Sequence, residues 1–253
     1  AKANGCDAVH PGYGFLAERS DFAEACAKAG LLFVGPSPDH LALFGDKTQA
    51  RKAAMGADVP ITRGIDRPVS LLEAQAFFKS LGEGGAMMIK AVAGGGGRGS
   101  RAVFDATEVE EAFTRCQSEA LTGFGRKDVF VEAFLPMARH VEVQILGDVH
   151  GAVAHLGERE CSVQRRYQKI VEIAPAPNLD EVTRTDLIGA AVRFARHVGY
   201  TNLGTFEFLV DVSGNAASQP FVFIEANARL QVEHTVTEQV TGVDIVQTQI
   251  RLA

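Results

Sequence analysis

Glu207 and Glu225 each sit in a short, heavily apolar run, and the chain between them is a polar loop over residues 212–219. The midpoint of the two positions falls inside that loop, so a symmetric hairpin sets Glu207 opposite Glu225. Residues two apart on a strand share a face, which turns Asn227 the same way as Glu225. Two facing carboxylates repel unless a cation lies between them. Hard oxygen ligands of this kind, completed by phosphate oxygens, suit Mg2+. A solvated strand edge also carries acids, but Phe206, Phe208, Phe223 and Ile224 make these surroundings too apolar for one. The alternation runs on: Glu225, Asn227, Arg229, Gln231 and Glu233 take the odd positions, with Ala226, Ala228, Leu230 and Val232 between them. If the segment stays extended, one face carries metal ligands, then a cation, an amide and a carboxylate. Arg229 with Gln231 could hold a small planar anion, and Glu233 could take its proton. An exposed amphipathic strand has the same period, although such faces are usually richer in Lys and Thr.

A second constellation is the run Gly94, Gly95, Gly96, Gly97, Arg98, Gly99. It satisfies a dinucleotide fingerprint trivially, yet that fingerprint needs a helix after the glycines and here a short strand follows. No Gly-Lys-Ser/Thr closes the run, so it is not a Walker loop. What remains is a hairpin flap of bare backbone amides that could fold over a triphosphate, or a floppy surface hairpin. Lys90, on the apolar strand just before it, favours the first reading because a lone cation there wants an anion. The cluster Gln164-Arg165-Arg166-Tyr167-Gln168-Lys169 is compact and basic, and taken alone it also reads as a solvated turn.

The elements that must position these groups follow from period and punctuation. Residues 6–36 read strand, turn, helix, strand: Asp7–His10, a turn over His10–Gly14, a helix over Asp21–Ala29 stopped by Gly30, then Leu31–Val34. That is a βαβ unit and predicts a parallel sheet. Helices are expected over Asp46–Met55, Ser70–Leu81 and Asp180–Val198, the last with Leu187, Ala191, Phe194 and Val198 at helical spacing. Strands are expected over Met87–Val92, Arg101–Asp105, Val129–Phe134, His140–Leu146, Ala152–Leu156, Thr205–Asp211 and Phe221–Ala226. The fold class is α/β.

The chain has 253 residues, enough to bury a full core, and 46% of them are hydrophobic. A net charge of −6 and a pI near 5.7 argue against a nucleic-acid partner. No apolar run approaches the roughly 20 residues of a membrane span, and no signal-peptide layout is present. Cys6, Cys26, Cys116 and Cys161 are scattered without a C-x-x-C pair, which predicts reduced thiols in a cytosol-like compartment. Both ends, Ala1 without a Met and Ala253 inside an expected helix, look cut.

Taken together, His10-Pro11-Gly12-Tyr13-Gly14-Phe15-Leu16, Gly45-Asp46-Lys47, Lys90 with Gly94–Gly99, Gln164-Arg165-Arg166, Gln168-Lys169 and Glu225–His234 resemble biotin carboxylase, the ATP-grasp component of biotin-dependent carboxylases. The resemblance spans the chain in order. It implies an α/β (α+β) ATP-grasp fold: residues 1–45 as the end of a pre-ATP-grasp domain and 46–253 as the ATP-grasp domain. Within the latter, 62–134 would form the lid subdomain and 135–253 the metal- and bicarbonate-binding one. Lys47, Lys90 and the glycine flap with Arg98 would hold the ATP phosphates. Backbone groups of Ala133 and Leu135 would read adenine, and His140, Gln164 and Glu132 would line the ribose side. Glu207, Glu225 and Asn227 would bind Mg2+ or Mn2+. Lys169, Arg229, Gln231 and the Val232 amide would hold bicarbonate, with Glu233 as base. The implied partners are biotin on a carboxyl carrier domain and a carboxyltransferase component, with a homodimeric or larger parent in bacterial cytosol or mitochondrial matrix. Ala226 and Ala228 replace bulkier residues usual between the metal ligands, and Tyr167 stands where His or Asn is common. The rival expectations are another ATP-grasp bicarbonate kinase, such as a carbamoyl-phosphate synthetase half, and an inactive ATP-binding fragment.

Overall fold

The computed structural model describes residues 1–93, 99–213 and 220–253. Gly94 to Gly97 and Arg98 therefore lie outside the described residues, as does the tip of the 212–219 loop. At the start, β1 (Ala8–Val9) and β2 (Leu32–Phe33) pair in parallel across α1 (Ser20–Lys28), the expected βαβ unit. Two helices follow. α2 (Pro38–Gly45) is capped by Ser37, whose hydroxyl accepts from the His40 N–H, with Pro38 pre-set for the first turn. α3 (Lys47–Gly56) is capped by Asp46, which accepts from the N–H groups of Thr48 and Gln49. That cap fixes Lys47 as the first helical residue.

The first of two larger sheets is built from β3 (Gly64–Ile65), β4 (Met87–Ala91), β5 (Ser100–Val103) and β6 (Val129–Ala133), in the order β3-β6-β4-β5. All its pairs are antiparallel. α4 (Leu71–Ser80), opened by a capping box between Ser70 and Glu73, and α5 (Val109–Phe124) cover one face. Phe77, Met87, Ile89, Phe113, Cys116, Val129 and Val131 form that core. Alternation along β4 and β6 sends Met88, Lys90 and Glu132 to the opposite face.

The second sheet holds β7 (Ala138–Gly147), β8 (Val153–Arg165), β9 (Gln168–Ile173), β10 (Asn202–Asp211) and β11 (Phe221–Asn227), ordered β11-β10-β7-β8-β9 and antiparallel throughout. Its core face packs on α6 (Glu181–His197). There Phe194 meets Phe44, Phe206 and Phe223 edge to face, with ring centroids 5.8, 5.2 and 5.1 Å apart. Val141, Val143 and Ile145 join the same core. The other face of the same strands carries His140, Glu142, Gln144, Thr205 and Glu207. α7 (His234–Thr241) and α8 (Ile245–Leu252) complete the chain.

The structure departs from the sequence expectations in several places. α2 and α5 are helices where none was expected. β8 runs on to Arg165 instead of ending near Leu156, and it turns through Arg166 and Tyr167, both with positive φ, into the unexpected β9. The basic cluster 164–169 is thus the end of a hairpin whose turn, Arg166 and Tyr167, is exposed to solvent as expected. The 225–233 alternation does not stay extended, because β11 stops at Asn227 and a loop leads into α7.

Candidate functional site

The site faces of the two sheets look at each other across a cleft of about 300 Å³. Lys47, Lys90, Glu132, Ala133, Leu135, His140, Gln164 and Glu225 all line it. They come from α3, β4, β6 and the segment after it, β7, β8 and β11. Met88, Phe134, Leu209 and Ile224 make much of its wall apolar, as a slot for a flat heterocycle requires. A bulge after Glu207 leaves Ile224 without a cross-strand partner, so it is free to line the cleft. Ala133 commits its N–H to the Arg63 carbonyl at 2.7 Å.

At one end of the cleft the expected acidic pair is in register: Glu207 faces Glu225, and Thr205 faces Asn227. Both carboxylates are ionised. Burial opposes the Glu207 charge, but Lys169 and His140 outweigh it and hold the carboxyl well below its usual range. Burial likewise opposes Glu225, and Lys47, in direct contact with it, lowers its pKa despite repulsion from Glu207. The same contact raises the pKa of Lys47 against the cost of its burial. His140 Nε2 lies 2.6 Å from Glu207, and the Gln164 amide nitrogen is 2.7 Å from its Nδ1. Burial lowers the pKa of His140, and Glu207 more than reverses this. Two ionised carboxylates on neighbouring strands, with the Asn227 amide donating to Glu207, form a hard-oxygen donor set that fits Mg2+ or Mn2+.

Beside this pair is a second, cationic centre. Lys169 Nζ lies 2.5 Å from Glu142, 2.7 Å from Glu233 and 3.1 Å from Glu207. Those carboxylates raise its pKa although burial pulls it down. Gln231 donates to Glu142 (3.2 Å), Thr205 (2.5 Å) and Glu207 (3.0 Å). Arg229 bonds Glu18 at 2.6 Å and Asn227 at 3.1 Å, and its Nη1 reaches Gln231 at 3.5 Å. Val232 follows on the exposed turn into α7. The loop thus brings Gln231 and Glu233 to the carboxylates around Lys169 without staying extended, and sets Arg229 against Asn227 and Gln231.

Glu132 is placed differently from the rest. Its carboxylate is buried against Lys90, Arg51 (2.5 Å) and Thr62 (2.6 Å). Burial opposes its charge, and Lys90 and Arg51 hold its pKa down. It acts as an internal counter-ion at the cleft wall. Sequence reasoning missed Arg51, Glu142, Arg159 and Glu18. The available signal for Glu142 was the His140, Glu142, Gln144 alternation, which mirrors Thr205 and Glu207. Glu18 carries no local signal because its partner, Arg229, is 211 residues away, and the partners of Arg51 all lie outside its own helix.

Comparison with known proteins gives the same site a family. The model described as carbamoyl-phosphate synthase L chain, ATP binding domain, matches residues 46–253. The one described as biotin carboxylase, N-terminal domain, matches residues 1–41. Pyruvate carboxylase 1 of Caenorhabditis elegans is 58% identical over 248 residues, which is 98% of this chain and 20% of that protein. Pyruvate carboxylase of Bacillus subtilis is 50% identical over 253 residues, 100% of this chain and 21% of the relative. The chain therefore spans about a fifth of the length of these relatives. A biotin carboxylase structure from Campylobacter jejuni, in a β,γ-ATP complex, superposes with a TM-score of 0.94 at 44% identity, covering 100% of this chain and 55% of that one. The biotin carboxylase domain of 2-oxoglutarate carboxylase from Hydrogenobacter thermophilus, with MgADP and bicarbonate, gives 0.93 at 43%, covering 100% and 54%. With both family models matching in order and relatives aligned along its whole length, the chain belongs to the biotin carboxylase family.

Proposed function

We propose that the chain is the ATP- and bicarbonate-handling part of an enzyme that carboxylates biotin. The observation that carries this reading is the junction of the two centres. Lys169, Gln231 and Glu233 converge beside the Glu207–Glu225 pair at the end of a cleft with two lysines and an apolar wall. A site for an anion and its base at the end of a triphosphate cleft suits phosphorylation of that anion. The resemblance supports a division into residues 1–45 and 46–253, with 62–134 as lid and 135–253 as the metal- and bicarbonate-binding part.

The chemistry then divides among the residues. Lys47 and Lys90 bind the phosphates; Ala133, Leu135, His140 and Gln164 seat the nucleoside. A divalent cation on Glu207, Glu225 and Asn227 would neutralise phosphate charge. Lys169, Arg229, Gln231 and the Val232 amide orient bicarbonate. Glu233 takes the bicarbonate proton, and the resulting carbonate oxygen attacks the γ-phosphorus as its bond to the ADP oxygen breaks. The product, carboxyphosphate, delivers its carboxyl carbon to N1′ of biotin as its C–O bond to phosphate breaks, and the departing phosphate takes the N1′ proton. Positioning and neutralisation do most of the work in such transfers, which accounts for two lysines and no protein nucleophile. Biotin would arrive on a carrier domain, and a carboxyltransferase would complete a dimeric or larger parent in cytosol or mitochondrial matrix. Pyruvate is the acceptor to test first, since the relatives named above are pyruvate carboxylases.

Calorimetric titration with ATP, with and without Mg2+, tests the site. Binding should tighten with Mg2+, and Glu225→Ala should lose that gain. ADP release that requires bicarbonate and rises with biotin completes the assignment. Release indifferent to biotin would instead favour a carbamoyl-phosphate synthetase-like bicarbonate kinase.

A further inference from the structure

Arg159 is fully buried on β8 and belongs to none of the roles above. Its Nε donates to Glu142 Oε1 at 2.6 Å, and its Nη1 donates to Gln144 at 3.0 Å and to the Thr237 hydroxyl at 2.9 Å. Its Nη2 is buried with no acceptor among the described residues. Glu142 is equally buried and has two faces. Arg159 holds Oε1, whereas Oε2 holds Lys169 at 2.5 Å and Gln231 at 3.2 Å.

We propose that Arg159 is a positioning residue for the anion site, acting through Glu142 on Lys169 and Gln231. The proposal rests on the bicarbonate reading above. Two physical arguments carry it. The first is charge. Lys169 already faces Glu142, Glu207 and Glu233, and an anion must compete with all three for its ammonium. A guanidinium on the far oxygen of Glu142 draws that carboxylate's charge away from Lys169 and leaves the ammonium more available. The second is placement. Thr237 sits on α7, directly after the loop that bears Arg229, Gln231 and Glu233, so the same guanidinium ties that loop's helix to β8. One side chain thereby locates both halves of the pocket. A residue needed only for packing would be cheaper as methionine, since a buried guanidinium with an unmet donor carries a desolvation cost.

The test compares the unmodified chain with Arg159→Met, Arg159→Lys and the double variant Arg159→Met/Glu142→Gln. Two quantities are read for each: ATP affinity with Mg2+ by calorimetry, and bicarbonate affinity from line broadening of 13C-bicarbonate in the presence of MgADP. Arg159→Met should weaken bicarbonate binding about tenfold or more, the effect of losing a charge-assisted hydrogen bond, while MgATP affinity stays within about threefold. Arg159→Lys keeps the charge without the fork and should fall between. The double variant removes one charge of each sign and should recover most of the bicarbonate loss.

Unchanged bicarbonate affinity in Arg159→Met, or equal losses of bicarbonate and MgATP, overturns the proposal in favour of a general brace. If Arg159→Met does not fold by circular dichroism, Arg159→Lys decides: bicarbonate affinity equal to that of the unmodified chain rejects the role. An unmodified chain that binds MgATP but no bicarbonate sinks the underlying reading, and is told apart because every variant then looks alike.

Discussion

Arg51 should be among the most costly single residues to replace, and the cost follows from its contacts. It lies on α3 at 1% exposure, and its guanidinium bonds three residues outside its own helix. Nε bonds Asp66 at 2.5 Å, Nη1 bonds Glu132 at 2.5 Å and Thr62 Oγ1 at 2.8 Å, and Nη2 bonds the Thr62 carbonyl at 2.6 Å. Arg51→Met keeps much of the stem's volume but leaves Glu132, at 3% exposure, with Lys90 as its one remaining cation among these contacts. It also strips a donor from the Thr62 carbonyl. Removing one partner from a buried ion pair costs about 3–5 kcal/mol. With a urea m-value near 3 kcal/mol/M, the upper end for a small protein, the unfolding midpoint should fall by roughly 1–1.7 M. Urea titration followed by far-UV circular dichroism reads this directly. Because the penalty is mostly the stranded carboxylate, Arg51→Met/Glu132→Gln should be more stable than Arg51→Met alone. A midpoint shift below about 0.3 M, or a double variant no better than the single, would refute the reasoning.

The same cluster fixes a pH dependence. The pKa of Glu132 is lowered in the folded chain, so its stabilising contribution is present above the ordinary carboxylate range and is lost as pH falls through the folded value. Glu132→Gln should therefore show a shallower loss of stability on acidification than the unmodified chain. Phe194→Ala empties the centre of a four-ring cluster at 0% exposure and should cost about 3–5 kcal/mol, readable as a drop of roughly 8–15 °C in melting temperature. Cys6 is exposed while Cys26, Cys116 and Cys161 are buried, and burial pushes the Cys116 thiol up to about 12. A thiol reagent at neutral pH should label Cys6 rapidly and the other three only after denaturation. At Gly204, an added Cβ would fall 2.2 Å from the Tyr200 hydroxyl and 2.8 Å from the Asn227 carbonyl. Gly204→Ala should thus displace β11 at its Asn227 end and, under the proposed reading, weaken the Mg2+-dependent gain in ATP affinity with little effect on binding without metal.

What the sequence disclosed follows a physical line. The midpoint of the two positions, inside the polar loop, was sufficient to place Glu207 opposite Glu225, and period-two alternation put Asn227 on the same face. Helix α6 announced itself through the spacing of Leu187, Ala191, Phe194 and Val198, and α1 through its Gly30 stop. α5 did not, since its apolar residues are interleaved with Glu110, Glu111 and Glu119 and three of its five buried positions, Ala112, Cys116 and Ala120, are small. β8 was cut short for a related reason. Glu158, Arg159 and Glu160 look like a loop in sequence, yet all three are buried and paired across strands or to α6. Local polarity misleads wherever the partner is supplied by a distant element. The 225–233 segment shows the converse. Its residues do converge on one site, but through a loop ending β11, because Gln231 and Glu233 must turn back toward Lys169 on β9.

The charges of the site are balanced internally, and this decides how ligands must enter under the proposed reading. Lys47 is paired with Glu225, Lys90 with Glu132, Lys169 with Glu142, Glu207 and Glu233, and Arg229 with Glu18. Each cation assigned to an anionic substrate is thus held by a carboxylate until that substrate arrives. A triphosphate that draws Lys47 away leaves Glu225 facing Glu207 with a larger unneutralised charge, which a divalent cation is suited to take up. Glu207 and Glu225, if occupied by a divalent cation first, would free Lys47 for the phosphates. Each event lowers the cost of the other, so nucleotide and metal affinities must rise by the same factor whichever is added first. The coupling lies in the hairpin register, because only strands that place Glu207 directly opposite Glu225 make a single ammonium and a single metal compete for the same carboxylate.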